Sequence, residues 1–313
     1  MRKLLKWLSI VWFVILAFMA SPAFARTEPE TIEVAGTTFV VDAANGLGGF
    51  AGSAIEVIRN DWERVAAEAG APSGETIYVH MERDFSDYFE RTGIPSRPPE
   101  WAVGLALPAR RVILMIPGNP TWQATMSHEM THVAVAIAAG DGDVPIWFTE
   151  GFAVAVAEQW GFERMQAMVQ ASLAGALLDL RLLETSFPPS RGPADVAYAQ
   201  SFHFVRWVRE KHGASAFRDI MALVRQGIPW SQAFQERTGT LMTVAYDDWQ
   251  DDVKVGYSWV PVLVTSGVGG VLMTAVVLVA WRRKSRVRAQ RLRQMGERES
   301  QVFGSDPDDR TFG

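Results

Sequence analysis

The sequence predicts an α+β fold: a small mixed strand/helix N-terminal part, then a mainly helical domain, then one C-terminal transmembrane helix. Three observations carry this. Short β-branched or alternating runs cluster before Pro117. After it, apolar residues recur at helical spacing between Gly and Pro stops. Finally, Val260–Trp281 holds no charge over 22 positions, and a helix needs about 20 such residues to cross the hydrocarbon core.

Residues 1–25 begin with Arg2, Lys3 and Lys6, continue into an apolar run and finish at Ala23-Phe24-Ala25. A basic start, an apolar middle and a small-x-small end form a secretory signal peptide; an uncleaved membrane anchor is the alternative. Either way the residues that follow leave the cytoplasm. "TTFVVDA" (37–43) and "TIYVHME" (76–82) read as strands. Between them, Ala54, Val57, Ile58, Trp62, Val65 and Ala66 form one helical stripe closed by Gly70. "AVGLALPARRVILMIP" (102–117) reads as a hairpin turning near Pro108-Ala109-Arg110. A helix is then expected from "GNPTW", with Asn119 as cap and Pro120 in its first position, to Ala139, where Gly140 stops it. Pro145 opens the next, expected to reach about Trp160. "FPPSRGP" (187–193) reads as a Pro-rich loop, followed by helices near 194–211, 214–226, 231–237 and 241–252.

Tyr257, Trp259 and Trp281 stand at the ends of the long apolar run, where amphipathic rings favour the headgroups. "RRKSRVRAQRLR" follows, with seven positive charges and no acid, which marks the cytoplasmic side. The expected order is a signal peptide (1–25), an extracytoplasmic domain (26–259, with an α/β part at 31–117 and a helical part at 118–255), a transmembrane helix (260–281) and a basic cytoplasmic tail (282–313). The chain would be a single-pass membrane protein touching lipid through its helix and tail. Taking the +3 of residues 1–25 and the +4 of residues 282–313 from the total of −5 leaves −12 for the exported part. An acidic ectodomain argues against nucleic acid as a partner. With no cysteine, disulfides and thiolate-held metals are excluded; oligomeric state is not readable.

The stretch "SHEMTHVAVAIAAGDGDVPIWFTEGFA" (127–153) sets His128, Glu129 and His132 into an otherwise apolar helix. Four residues apart, the two histidines share one helix face and their nitrogens can meet one ion. Glu129 points beside that ion, where a base can take a proton from bound water. The other reading is a helix with two solvated histidines. "VAVAIAA" (133–139) argues against it, because burying unpartnered polar groups costs several kcal/mol. The HExxHxxGxxH pattern is excluded, since Val135 and Ala138 occupy its glycine and last histidine positions. Glu150 is expected as the third ligand, returned beside the histidines by the tight turn at 140–145. Small Ala153 and Ala157 on its face would let the two helices approach. Asp141 and Asp143 are rivals that sit in the turn itself.

"HEMTH", seventeen residues, then "EGFA" preceded by "PIWF" resembles the gluzincin superfamily of zinc metallopeptidases, and within it the peptidase-MA-like group. "LLETSFPP" (182–189), "AYAQSFHFVRWV" (197–208) and "HGASAFRDIMALVRQG" (212–227) extend the likeness over about residues 35–255. The resemblance implies a zincin-like domain with Zn2+ held by His128, His132 and Glu150, Glu129 as general base, and a peptide or protein substrate. It implies that a hairpin edge strand such as 111–116 holds the substrate backbone. It also implies a downstream Tyr or His that donates to the oxyanion. Tyr198 is the first choice, with a core tyrosine as its other reading, and His203 is the second. The rival expectation is a degenerate member that binds peptides or assembles with membrane partners without turnover.

Overall fold

A computed structural model of the chain describes residues 26–94, 98 and 102–257. The expected signal peptide, transmembrane helix and basic tail lie outside the described residues. Among the described residues, no helix is long and apolar enough to cross a membrane. The chain divides into two compact units, Met1–Val253 and Lys254–Gly313; the architecture below is that of the first.

Among the described residues, five strands build one sheet. Strands β1 (Glu30–Val34) and β2 (Thr37–Ala43) form a hairpin through Ala35 and Gly36, both at positive φ (50° and 72°). Two left-handed residues give the turn the twist that a two-residue hairpin needs. Helix α1 (Gly48–Ala69) crosses over to β3 (Thr76–Met81), which pairs parallel with β2. Helix α2 (Phe85–Thr92) leads to the hairpin β4 (Gly104–Leu107) and β5 (Val112–Met115). The strand order is β1-β2-β3-β5-β4.

Period-two alternation sorts the side chains. Phe39, Val41, Ile77, Val79, Met81 and Ile113 are buried, with the Phe39 ring 5.1 Å from Trp62 of α1. Val112 and Leu114 face the other way and pack with Phe85, Tyr88 and Phe89 of α2. Covered on both faces, β5 is buried along its whole length, which is why it reads as the unbroken apolar run "VILM".

The rest is helical: α3 (Trp122–Ala139), α4 (Ile146–Val156), α5 (Phe162–Leu173), α6 (Arg191–His212), α7 (Ala216–Arg225), α8 (Trp230–Thr238) and α9 (Met242–Tyr257). Trp147 and Phe148 of α4 join Phe204, Phe217 and Trp230 in an aromatic core, with ring centroids 4.6–6.3 Å apart for most pairs. Helix α4 meets α6 at its backbone. A Cβ on Gly151 would lie 2.5 Å from the Ser201 carbonyl, so only glycine allows this approach.

Three expectations need correction. Helix α3 starts at Trp122 with Thr121 as its cap residue. Asn119 instead closes a turn, its Oδ1 accepting from the Thr121 N–H and hydroxyl. Helix α4 stops at Val156, where the left-handed Glu158 (φ 53°) ends it, and α5 follows as a separate helix. The run 187–193 is only partly loop, because α6 begins at Arg191; Pro193 lies in its first turn, where a missing N–H costs no hydrogen bond.

Candidate metal centre

His128 and His132 project from the middle of α3, a helix buried almost all round between the sheet, α1, α4 and α7. The tight connection at 140–145 folds α4 back, and Glu150 meets the two imidazoles. The separations are 3.1 Å from His128 Nε2 to His132 Nε2, 3.3 Å from His128 Nε2 to Glu150 Oε2 and 3.6 Å from His132 Nε2 to that same oxygen. Ligands about 2.0–2.1 Å from a tetrahedral centre stand about 3.3–3.4 Å apart, so the triangle fits zinc in size as well as in donor type. Both His128 Nδ1 and Glu150 Oε2 are buried without a hydrogen-bond partner among the described residues. For Glu150 Oε2, which faces both rings, a cation would supply what is missing. Among the described residues these three side chains are the one group with donor atoms close enough to share an ion.

The electrostatics express the same demand. Burial opposes charge on Glu150, yet the charges of His132 and His128 hold its carboxyl well below the usual range. Burial likewise opposes a charged His132, but Glu150 outweighs it and lifts the imidazole to about 9. A carboxylate seeking a positive neighbour shifts both groups, and a dication answers the same need.

Glu129 is turned towards β4. Its Oε2 accepts the Ala106 N–H at 2.8 Å, and a Cβ on Gly104 would stand 2.8 Å from its Cγ and Oε1. The strand thus passes directly against the carboxylate. Burial pushes the Glu129 carboxyl above its ordinary value, with the imidazoles pulling part of the way back.

These groups open into a cleft of about 1110 Å³ between β4, α5 and the first turns of α6. Tyr198 lines it with His128, Glu129, His132 and Glu150. Burial, then the negative charges of Glu150 and Glu129, raise the Tyr198 phenol far above its ordinary value. His203 lies elsewhere: its Nδ1 accepts the Trp249 indole N–H at 2.9 Å, and it does not line the cleft. Asp141 and Asp143 stay in the turn and are absent from the cleft wall. The expected edge strand is also corrected. Residues 112–115 form β5, paired on both sides, and the open edge belongs to β4. Ile116 N–H binds Val103 O; by the antiparallel alternation, the backbone groups of Gly104 and Ala106 therefore point outward.

Residues 65–255, more than half of the chain, match the model of the Peptidase MA superfamily. The chain belongs to that superfamily. Among solved structures, this Peptidase MA chain is similar to a two-domain M1 zinc metallopeptidase mutant with bound L-tryptophan, at 17% identity and a TM-score of 0.38 over 72% of this chain and 51% of that one. It is similar also to an M1 zinc metallopeptidase mutant from Deinococcus radiodurans bound to a Tyr-Ser-Ala substrate, at 17% identity and a TM-score of 0.35 over 74% and 51%. The chain spans about half the length of each. No curated protein matches it.

Two features of the site carry no motif. Gly104 and Ala106 reach Glu129 through strand order, and Arg164 lines the cleft from α5. The "EG" of "TEGFA" was a usable signal: a glycine inside an apolar helix marks a close backbone approach.

Proposed function

We propose that this Peptidase MA member is a zinc-dependent peptidase acting outside the cytoplasm, anchored by residues 260–281, with His128, His132 and Glu150 as ligands. The observation that carries the hydrolytic part is the His–His–Glu triangle with the Glu129 carboxylate beside it at one cleft. Export and anchoring rest on the sequence at 1–25 and 260–293. Bound zinc supplies a Lewis acid that brings a water's pKa to about 7 and polarises a carbonyl.

The chain's own groups do the rest. Glu129 accepts the proton of the attacking water and delivers it to the departing amine nitrogen; a carboxyl raised by burial is suited to give that proton back. Tyr198, kept protonated by its surroundings, donates its O–H to the oxyanion. The outward backbone groups of β4, apart from the Ala106 N–H that Glu129 holds, align an extended peptide by adding it as a further strand.

The test uses the full chain in detergent, with a mixed peptide library and metal analysis. Cleavage by wild type, its loss in Glu129→Gln at unchanged zinc content and loss of zinc in His128→Ala are expected. Full zinc occupancy with no cleavage by wild type would favour a peptide-binding module instead.

A further inference from the structure

Arg164 stands in the first turn of α5, on the wall of the cleft. Two physical terms oppose it there. A cation near a helix N-terminus meets the positive end of the dipole, and burial pulls the Arg164 guanidinium below its ordinary value, with the charges of Asp195 and Glu150 partly offsetting it. No carboxylate among the described residues lies within ion-pair distance of it. Its Nη1 donates to the Gln159 carbonyl at 2.8 Å, and the guanidinium carbon sits 5.7 Å from the centre of the Tyr198 ring. Nε and Nη2 make no hydrogen bond to the described residues. The side chain is thus held at one corner, laid over the Tyr198 ring, with donors left for a planar anion.

We infer that Arg164 seats a carboxylate of the peptide substrate, either an acidic side chain or the free C-terminal carboxylate. The inference rests on the peptidase reading and adds a substrate class to it. Glu163 and Asp195 line the same wall and oppose a carboxylate there, so seating one away from the metal needs a local cation, and a guanidinium fork matches a carboxylate with two parallel N–H donors. Arg191 also lines the cleft but is exposed, so water competes for it.

The experiment measures binding, so that it does not depend on turnover. Full-length Glu129→Gln protein in detergent is titrated with fluorescent peptides that differ by Glu against Gln at successive positions, each with a free or an amidated C-terminus. Carboxylate-bearing peptides are expected to bind on the order of tenfold tighter or more. Added Arg164→Gln removes that preference, Arg164→Lys keeps part of it and Arg191→Gln keeps most of it, with zinc content and thermal unfolding unchanged. Whether the Glu series or the free-terminus series shows the preference identifies which carboxylate is seated. Equal binding of neutral and carboxylate peptides, a preference that survives Arg164→Gln, or one lost equally in Arg191→Gln overturns the inference. Preferential binding without cleavage by the unmutated chain would sink the peptidase reading and leave Arg164's role standing.

Discussion

Two inward-facing charged clusters among the described residues differ in one respect. At the ends of β2 and β3, Arg26 bonds both Asp42 (2.6 and 2.9 Å) and Glu82 (2.8 and 2.9 Å), Arg91 bonds Glu82 at 3.2 Å, and His80 bonds Asp42 at 2.5 Å. Each carboxylate there has its cations from the chain. At the candidate metal centre, two histidines and Glu150 converge with Glu150 Oε2 left without a hydrogen bond. A histidine near acids is therefore not informative in itself. His80 belongs to a closed set, whereas His128 and His132 belong to a set one cation short. Removing a charge from the closed set should cost stability. Changing the open set should cost chemistry.

The comparison can be broken at several points, beginning with the largest expected effect. Glu129→Gln lowers peptide cleavage by about 10²–10⁴-fold with zinc content and melting temperature held, as read by peptide hydrolysis and metal analysis. A parallel loss of zinc would mean that Glu129 serves the metal's retention instead. In the closed set, Glu82→Gln leaves Arg26 and Arg91 without their shared buried partner and destabilises by about 3–5 kcal/mol, measured by urea unfolding, while zinc content stays unchanged. Tyr198→Phe removes one donor to the oxyanion and lowers kcat by about 10²–10³-fold, with peptide affinity little altered. An unchanged kcat would return Tyr198 to a packing role.

The smallest effect is in pH. Burial disfavours a charged Asp42, but His80 and Arg26 outweigh it and hold the carboxyl down at about 2. Because the folded value lies below the unfolded one, the contribution is complete above about pH 4 and is lost as pH falls through about 2, about 2 kcal/mol in all. Asp42→Asn should lower stability near neutrality by about 2 kcal/mol and flatten the profile in that window, as read by urea unfolding across pH.

Much of this was legible in the sequence, and the gaps have physical causes. The run 37–43 alternates cleanly and becomes β2 with the same bounds, and Gly70 closes α1 as expected. Strand β1, "ETIEV", buries none of its residues and alternates only over Thr31–Val34, too short a run to announce a strand. Helix α2 is only eight residues long, although the Asp84 cap and Gly93 stop were there to be read. The separation of His128, His132 and Glu150 follows from helix period and a short turn, both local. The identity of the edge strand does not, because it depends on β5 pairing with β3 across a stretch that contains α2 and β4. Arg164 is invisible for the same reason: its place in the cleft is set by how α5 packs on α6.

Gly151 follows Glu150 in α4, and the backbone it touches on α6 lies one turn after Tyr198. The span between carboxylate and phenol is thereby gauged by main chain resting on main chain, with no side chain interposed. Drift in the surrounding aromatic residues can alter how firmly the helices are clamped while leaving that span alone. A single methyl at position 151 would act as a shim, retuning the cleft without touching any group that lines it.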